Sequence, residues 1–327
     1  MKNGYAKTYY NDVLIYEGEW KEDKMDGYGT LYNSLGQLLY DGLFKNNVIH
    51  GYGKRYIDNV LVFKGDTNGN IMTGFVYRNT TILYEGTFMS QETSYKLHGN
   101  GKAYTDGNLI YEGQWENGMK NGIGSLYLYT PTGIIHYNGI FKNNMRHGSM
   151  RVYKDNILIF NGNFNEDKVS GPGTLYDYSS QFLAQQKYDM DRFIIYDGLF
   201  YNNMRHGMGT IYQPNGIIIK CIWINDNMNG LGNIYRKNGT IIYEGYLKNN
   251  MKHGRGTLYQ TNGIKFEGDW YNDMYNGRGI LYDKDGLIIY NGLFKNNMYN
   301  GYGVLHKPDG TIVKGQWVNN ILNVIIT

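Results

Sequence analysis

One cysteine, Cys221, and four prolines are all that 327 residues contain of either type. A single thiol excludes an intramolecular disulfide framework and fits a reducing compartment. No apolar run approaches the ~20 residues that cross a bilayer. Met1 to Tyr10 has no signal-peptide core, so the expected location is the cytoplasm. An excess of one charge is missing too: 32 Lys and Arg against 29 Asp and Glu leave a net charge of +3, spread along the chain. Nucleic-acid binders usually concentrate basic residues on one face, so nucleic acid is not an expected partner. What the chain has in abundance is 34 Tyr and 45 Gly. Tyr suits a sheet one layer thick, its ring covering backbone while the hydroxyl stays wet, and Gly lets a ring lie directly on the strand.

These residues recur in a pattern. In YEGYLKNNMKHGRGTLYQTNGIK, from Tyr243 to Lys265, residues Tyr243, Gly245 and Leu247 share one parity and Glu244, Tyr246 and Lys248 the other, the two-residue period of a half-buried strand. A polar turn, Asn249 to His253, leads to a second strand in which Gly254, Gly256 and Leu258 point one way. A second turn, Gln260 to Gly263, carries an Asn-Gly pair that tolerates positive φ and feeds the next first strand, Ile264 to Trp270. One hairpin is marginal in water, so each copy depends on its neighbours.

Full copies open at Tyr16, Tyr40, Phe63, Tyr84, Tyr111, Tyr137, Phe160, Tyr196, Ile219, Tyr243, Phe266 and Tyr290, mostly 23 or 24 residues apart. A fixed period argues for one array rather than two or three compact domains. The organisation read from it is a half repeat over 1–15, repeats 1–7 over 16–176, an insertion over 177–195, repeats 8–12 over 196–312, and a degenerate repeat or cap over 313–327. In the weak copy at Phe63, Thr67 takes the aromatic position and Val76 is read as the second-strand Gly. The copy at Tyr84 has extra residues around Ser90 to Lys96. The insertion is a rim excursion and a candidate contact loop. Trp20, Trp115, Trp223, Trp270 and Trp317 all fall at the fifth position of odd copies, whereas even copies carry Phe44, Phe88, Phe141, Phe200, Leu247 and Phe294 there, so the unit of duplication is a pair. These Trp and Phe residues are the structural aromatic anchors, and Gly27, Gly29, Gly254, Gly256, Gly277 and Gly279 the structural glycines that seat rings.

Catalytic and metal readings fail on spacing. His50, His98, His147, His206 and His253 precede a second-strand Gly and read as turn residues; in alternate copies they lie ~19 Å apart at ~4.8 Å per strand, too far to share zinc. Cys221 fills a first-strand Gly slot and has no partner histidine to make it a nucleophile. Gly-x-Gly here lies inside a strand, with no helix or Lys-Ser/Thr to bind phosphate. The acidic row Glu17, Asp41, Glu85, Glu112, Asp197, Glu244 and Glu267 reads as a solvated face paired with Lys and Arg across strands. No catalytic, cofactor or metal residue is expected. Lys142, Arg146, Arg205, Lys248 and Lys252 form a candidate basic rim, which could meet anionic lipid.

The phrases YEGEWKEDKMDGYGTLY at Tyr16, YEGQWENGMKNGIGSLY at Tyr111 and FEGDWYNDMYNGRGILY at Phe266 closely resemble the MORN repeat, the membrane occupation and recognition nexus motif. The resemblance covers about 12 full copies, nearly the whole chain. It implies an all-β, elongated, single-layer antiparallel array of hairpins, about 26 strands and ~120 Å long if straight. It further implies a cytoplasmic scaffold, in a family whose members occur in cytoskeletal, cell-division and membrane-junction assemblies. The expected function is therefore a non-catalytic scaffold that presents Tyr and Trp rings to an unidentified protein partner. The alternative is a peripheral membrane protein holding anionic phospholipid on its basic rim. Residues 323–327 have lost both second-strand glycines, so this apolar edge reads as a cap or as a homodimer contact.

Overall fold

The structure, a computed structural model, describes residues 1–91, 94–179 and 193–325. Its elements are 27 strands, β1 to β27 in chain order, one more than the repeat count suggests. They fall into two compact units: Met1–Asn156 with Asn165–Asp167, and Ile157–Phe164 with Lys168–Thr327. Within the first, β1 (Gly4–Tyr10) to β13 (Met145–Lys154) form a meander of sequential antiparallel neighbours. Within the second, β15 (Lys168–Tyr176) to β27 (Ile321–Ile325) do the same.

The copy at Tyr243 shows the local rules. Strands β20 (Ile241–Lys248) and β21 (Met251–Tyr259) are joined by Asn249 and Asn250 alone, both left-handed at φ 49° and 68°. This is the two-residue type I′ turn, whose twist matches that of the strands it joins. Asn and Asp tolerate positive φ better than other side chains, hence Asn46-Asn47, Asn225-Asp226 and Asn272-Asp273 at equivalent turns. The five-residue turn read from the sequence is therefore too long, because Met251 and Lys252 already pair with Lys248 and Leu247.

His253 is likewise strand rather than turn. Gly245 faces Gly256 and Leu247 faces Lys252, so His253, Gly254 and Arg255 all lie opposite Tyr246 in a bulge. The same register shift sits between Gly18 and Trp20, and between Gly292 and Phe294. A bulge bends the strand and raises its twist. It also separates the two glycines by function. Gly254 has φ 62° and its absent Cβ would face Tyr246, whereas a Cβ on Gly256 would meet the Tyr243 ring. Gly27 and Gly277 are likewise left-handed and face Glu19 and Asp269. Only Gly29, Gly256 and Gly279 seat rings. The expectation that both glycines do so came from counting parity through a strand that bulges.

Seating requires a glycine stripe. Gly232, Gly245, Gly256, Gly268, Gly279, Gly292, Gly303 and Gly315 pair in succession across the second unit. The Tyr243 ring lies on this stripe, fully buried, and its hydroxyl donates to the Tyr246 carbonyl at 2.9 Å. Tyr16, Tyr40, Tyr111, Tyr196 and Tyr290 repeat the bond to the carbonyl three residues on. The hydroxyl is therefore not wet, as a one-layer sheet led us to expect; it satisfies the carbonyl opposite the bulge. Burial pushes the Tyr111 and Tyr290 phenols up to about 12.

Each tryptophan adds a second bond. The indole N–H of Trp115, Trp223, Trp270 and Trp317 donates to the carbonyl of Gly101, Gly209, Gly256 and Gly303, fourteen residues back, and Trp20 does so to Ala6. Phe cannot make this bond. The first and fifth rings then pack edge to face within and between copies, as in Tyr111 with Trp115 at 5.0 Å and with Phe141 at 5.3 Å, a favoured ring geometry.

Two irregular copies follow the same logic. In the copy at Phe63, Gly74 pairs with Gly65 and Val76 with Phe63, without a register shift. Val76 thus occupies the leucine slot, not the glycine slot, and the copy is short because it has no bulge. In the copy at Ile219, Cys221 replaces the glycine between Gly209 and Gly232. Ile219 replaces the tyrosine whose ring would have lain there, so the two departures compensate.

Of the 177–195 insertion, residues 180–192 lie outside the described residues. Its ends meet: the Asp177 N–H donates to the Phe193 carbonyl at 2.8 Å, and Phe193 is buried. Residues 92–93 of the extra stretch near Ser90, and residues 326–327 of the C-terminal edge, are also outside.

Candidate interaction face

The second turn residue ties one hairpin to the preceding one. Asn250 Oδ1 accepts the Met228 backbone N–H at 2.8 Å, and the Asn250 N–H returns a bond to the Met228 carbonyl at 3.2 Å. Asn297 clasps Tyr275 and Asn320 clasps Tyr299 in the same way. Where the clasped residue is Arg146, Arg205 or Lys252, the turn supplies Asp167, Asp226 or Asp273, giving ion pairs of 2.7, 2.8 and 3.2 Å.

These basic side chains also cover rings. Arg146 lies 4.5 Å from the Tyr137 ring, Arg205 4.3 Å from Trp223, and Lys252 5.4 Å from Trp270. In later copies Tyr275 and Tyr299 fill the slot and stack on Phe266 and Tyr290 at 3.7 and 3.8 Å. Three of the five rim residues are thus ring covers whose charge an aspartate offsets. Lys142 and Lys248 are exposed at strand ends.

Burial raises the Asp226 carboxyl, but hydrogen bonds from Arg205 and its charge outweigh this and hold it below the usual carboxylate range. The same holds for Asp167 beside Arg146. A depressed folded-state value means the stabilisation is complete above the ordinary carboxylate pKa of about 4 and fades as pH falls through the lower one. Asp226→Asn keeps the backbone clasp and removes this dependence. Melting temperatures from pH 7 to 2.5 should fall less steeply for Asp226→Asn than for the parent below about pH 4.

Of the rings expected to meet a partner, the tryptophans are inside, whereas tyrosines such as Tyr246 and Tyr302 stay exposed. Trp115, Trp223, Trp270, Trp317, Phe44, Phe141 and Phe294 are buried, and Trp20 and Phe200 nearly so. The exposed apolar residues belong to the other face. In the second unit Met208 is 73% and Leu231 70% exposed, with Leu199, Ile222 and Tyr246 near 40%. Met208 pairs with Ile222 and Leu231 with Tyr246, so they form one stripe across the strands. It borders an open groove of about 950 Å³ that also includes Lys220, Glu244 and Glu267. Sequence reading passed over this stripe, although apolar residues between two glycines, at the parity of Glu244 and Thr257, were its visible signal.

Burial pushes the Cys221 thiol up to about 12, well away from thiolate reactivity. His98, His206 and His253 each hold a buried Nδ1 without a hydrogen-bond partner. Among the described residues no group of three potential metal ligands occurs. No helix among them is long and apolar enough to cross a membrane.

Hairpins clasped turn to turn, with rings on a glycine stripe, define a β-hairpin repeat array of the kind that serves as a binding scaffold. The profile of the MORN repeat matches residues 16–34, 40–59, 111–129, 137–149, 196–218, 243–265, 266–288 and 290–312, and the chain is a MORN-repeat protein. The copies at Phe63 and Ile219, with their altered slots, lie outside these segments. No curated protein matches the chain. Among solved structures, the crystal structure of the computationally designed Ika8 protein is 12% identical over 97% of each chain, with a TM-score of 0.16; a likeness at that level carries no argument.

Proposed function

We propose that the chain is a non-catalytic scaffold that holds a protein partner on the bulged, outward face of its second unit. The observation behind this reading is the stripe Leu199, Met208, Ile222, Leu231 and Tyr246, exposed on a sheet whose core lies on the other side. Exposed contiguous apolar residues beside polar ones mark interaction surfaces, and the groove alongside gives charged groups of both signs for orientation. The anionic-lipid reading has less behind it, because Arg146, Arg205 and Lys252 are paired with aspartates. A cytoplasmic setting fits the proposal.

Met208→Glu with Leu231→Glu tests it. Neither side chain supports the core, so surface change should leave the melting temperature almost unmoved. In affinity capture from the native cell, the parent should retain a partner that the double variant loses by about tenfold or more. Equal retention by both would overturn the assignment of this face.

A further inference from the structure

The core face of the first unit is incompletely filled. In regular copies the first ring pairs with leucine, as Tyr16 with Leu31, Tyr111 with Leu126 and Tyr243 with Leu258. In the successive copies at Phe63 and Tyr84 that partner shrinks to Val76 and Ala103. A ring is missing beside them. Tyr16 packs edge to face on Phe44 of the next copy, and Tyr111 on Phe141, both at 5.3 Å; the residue that would meet Tyr40 in the same way is Thr67. The following pair, Phe63 with Phe88, is wider at 6.2 Å. Losses of volume in one place leave a hollow unless the surroundings collapse. One of about 760 Å³ remains, with Tyr40, Phe63, Met72, Val76 and Ala103 in its wall.

The hollow falls within the ~300–1,000 Å³ of small-molecule sites. Polar groups in its wall are already engaged. The Tyr40 and Tyr84 hydroxyls donate to the Leu43 and Thr87 carbonyls at 3.2 and 3.5 Å. Arg55 lies 6.0 Å from the Tyr40 ring centre and has interactions of its own. None of the three stands unpaired, so a charged head group placed among them would lose its water without compensation. The pattern of rings is what defines the ligand: a carbocycle beside Tyr40 restores the edge-to-face contact that Thr67 omits. We propose that this hollow binds an uncharged carbocyclic hydrocarbon, its ring against Tyr40 and Phe63 and its alkyl groups along Met72, Val76 and Ala103.

Equilibrium dialysis of the full chain against naphthalene, 1-methylnaphthalene, 1-ethylnaphthalene and 1-naphthoate tests this. Affinity should rise about fourfold for each added alkyl carbon, and 1-naphthoate should bind about tenfold or more weakly than 1-ethylnaphthalene, which has nearly its shape. Val76→Leu with Ala103→Leu restores the residue of the regular copies and fills the hollow. This pair should melt no lower than the parent and lose all four probes. Ala103→Leu alone, a smaller change, serves where the pair fails to fold and should weaken 1-ethylnaphthalene about fivefold or more. No binding by the parent, 1-naphthoate held as tightly as 1-ethylnaphthalene, or binding unaffected in a folded filling variant would overturn the proposal. So would flotation of the parent on neutral phosphatidylcholine vesicles that filling abolishes, which would assign the hollow to membrane acyl chains. A parent dimer lost on filling would assign it to a second copy instead.

Discussion

Trp270→Ala should lower the stability of the second unit by about 4 kcal/mol, among the largest effects of any single truncation in this chain. The indole is 4% exposed and packs on Tyr243 at 5.5 Å, Phe266 at 5.3 Å and Tyr275 at 4.8 Å. Its N–H also satisfies the Gly256 carbonyl at 3.0 Å. Trp270→Phe separates the two contributions: it keeps a ring in place, as the even copies do, but removes the donor. The expected loss is then about 1 kcal/mol for the hydrogen bond together with a smaller term for the missing ring volume. Urea unfolding measures both, with hydrogen exchange over residues 243–282 reporting where the loss falls. A Trp270→Phe protein as stable as the parent would show that the bond to the preceding copy does not explain the alternation of Trp with Phe.

Gly256→Val should be comparably damaging, at about 3 kcal/mol or more, because it forces a buried ring off its seat. An ideal Cβ at this position would stand 2.6 Å from Tyr243 Cζ and 2.7 Å from Cε2. That ring has nowhere to go without losing its bond to the Tyr246 carbonyl. Gly254→Ala, two residues earlier, is the control. There the nearest atom is Tyr246 Cβ at 3.4 Å, so the strain comes from φ 62° rather than collision. A cost of about 1–2 kcal/mol is expected for a left-handed alanine. Both variants can be compared at one urea concentration. Equal losses would contradict the separation of the two glycines into a bulge residue and a ring seat.

The same pair shows how far the sequence reaches. Its two-residue alternation and 23-residue step specify hairpins and their order, since period alone distinguishes strand from helix. The bulge is invisible to that reasoning, because it breaks the alternation without changing composition; its presence misplaced Gly254 and His253, and its absence from the copy at Phe63 misplaced Val76. The turn was overlong for a related reason: Met251 and Lys252 are as compatible with a loop as with a strand until Leu247 and Lys248 are placed opposite them. The candidate surface shows the larger gap. Trp rings and the tyrosines that open the copies attract attention in a sequence, yet these are inside, and the exposed stripe is made largely of less conspicuous residues such as Met208 and Leu231.

Sequence by itself determined the repeat, the antiparallel hairpins, the Trp and Phe alternation, the glycine slots and the absence of a disulfide framework, because each is a local property of spacing or residue type. Tertiary structure alone decided which neighbour each group answers to. Asp226 meets Arg205, 21 residues away, the Trp270 indole reaches the Gly256 carbonyl, and Val76 and Ala103, each smaller than the leucine of other copies, line one hollow. These relations run between copies, across strands paired at a register that the bulge sets. A repeat read one copy at a time cannot contain them.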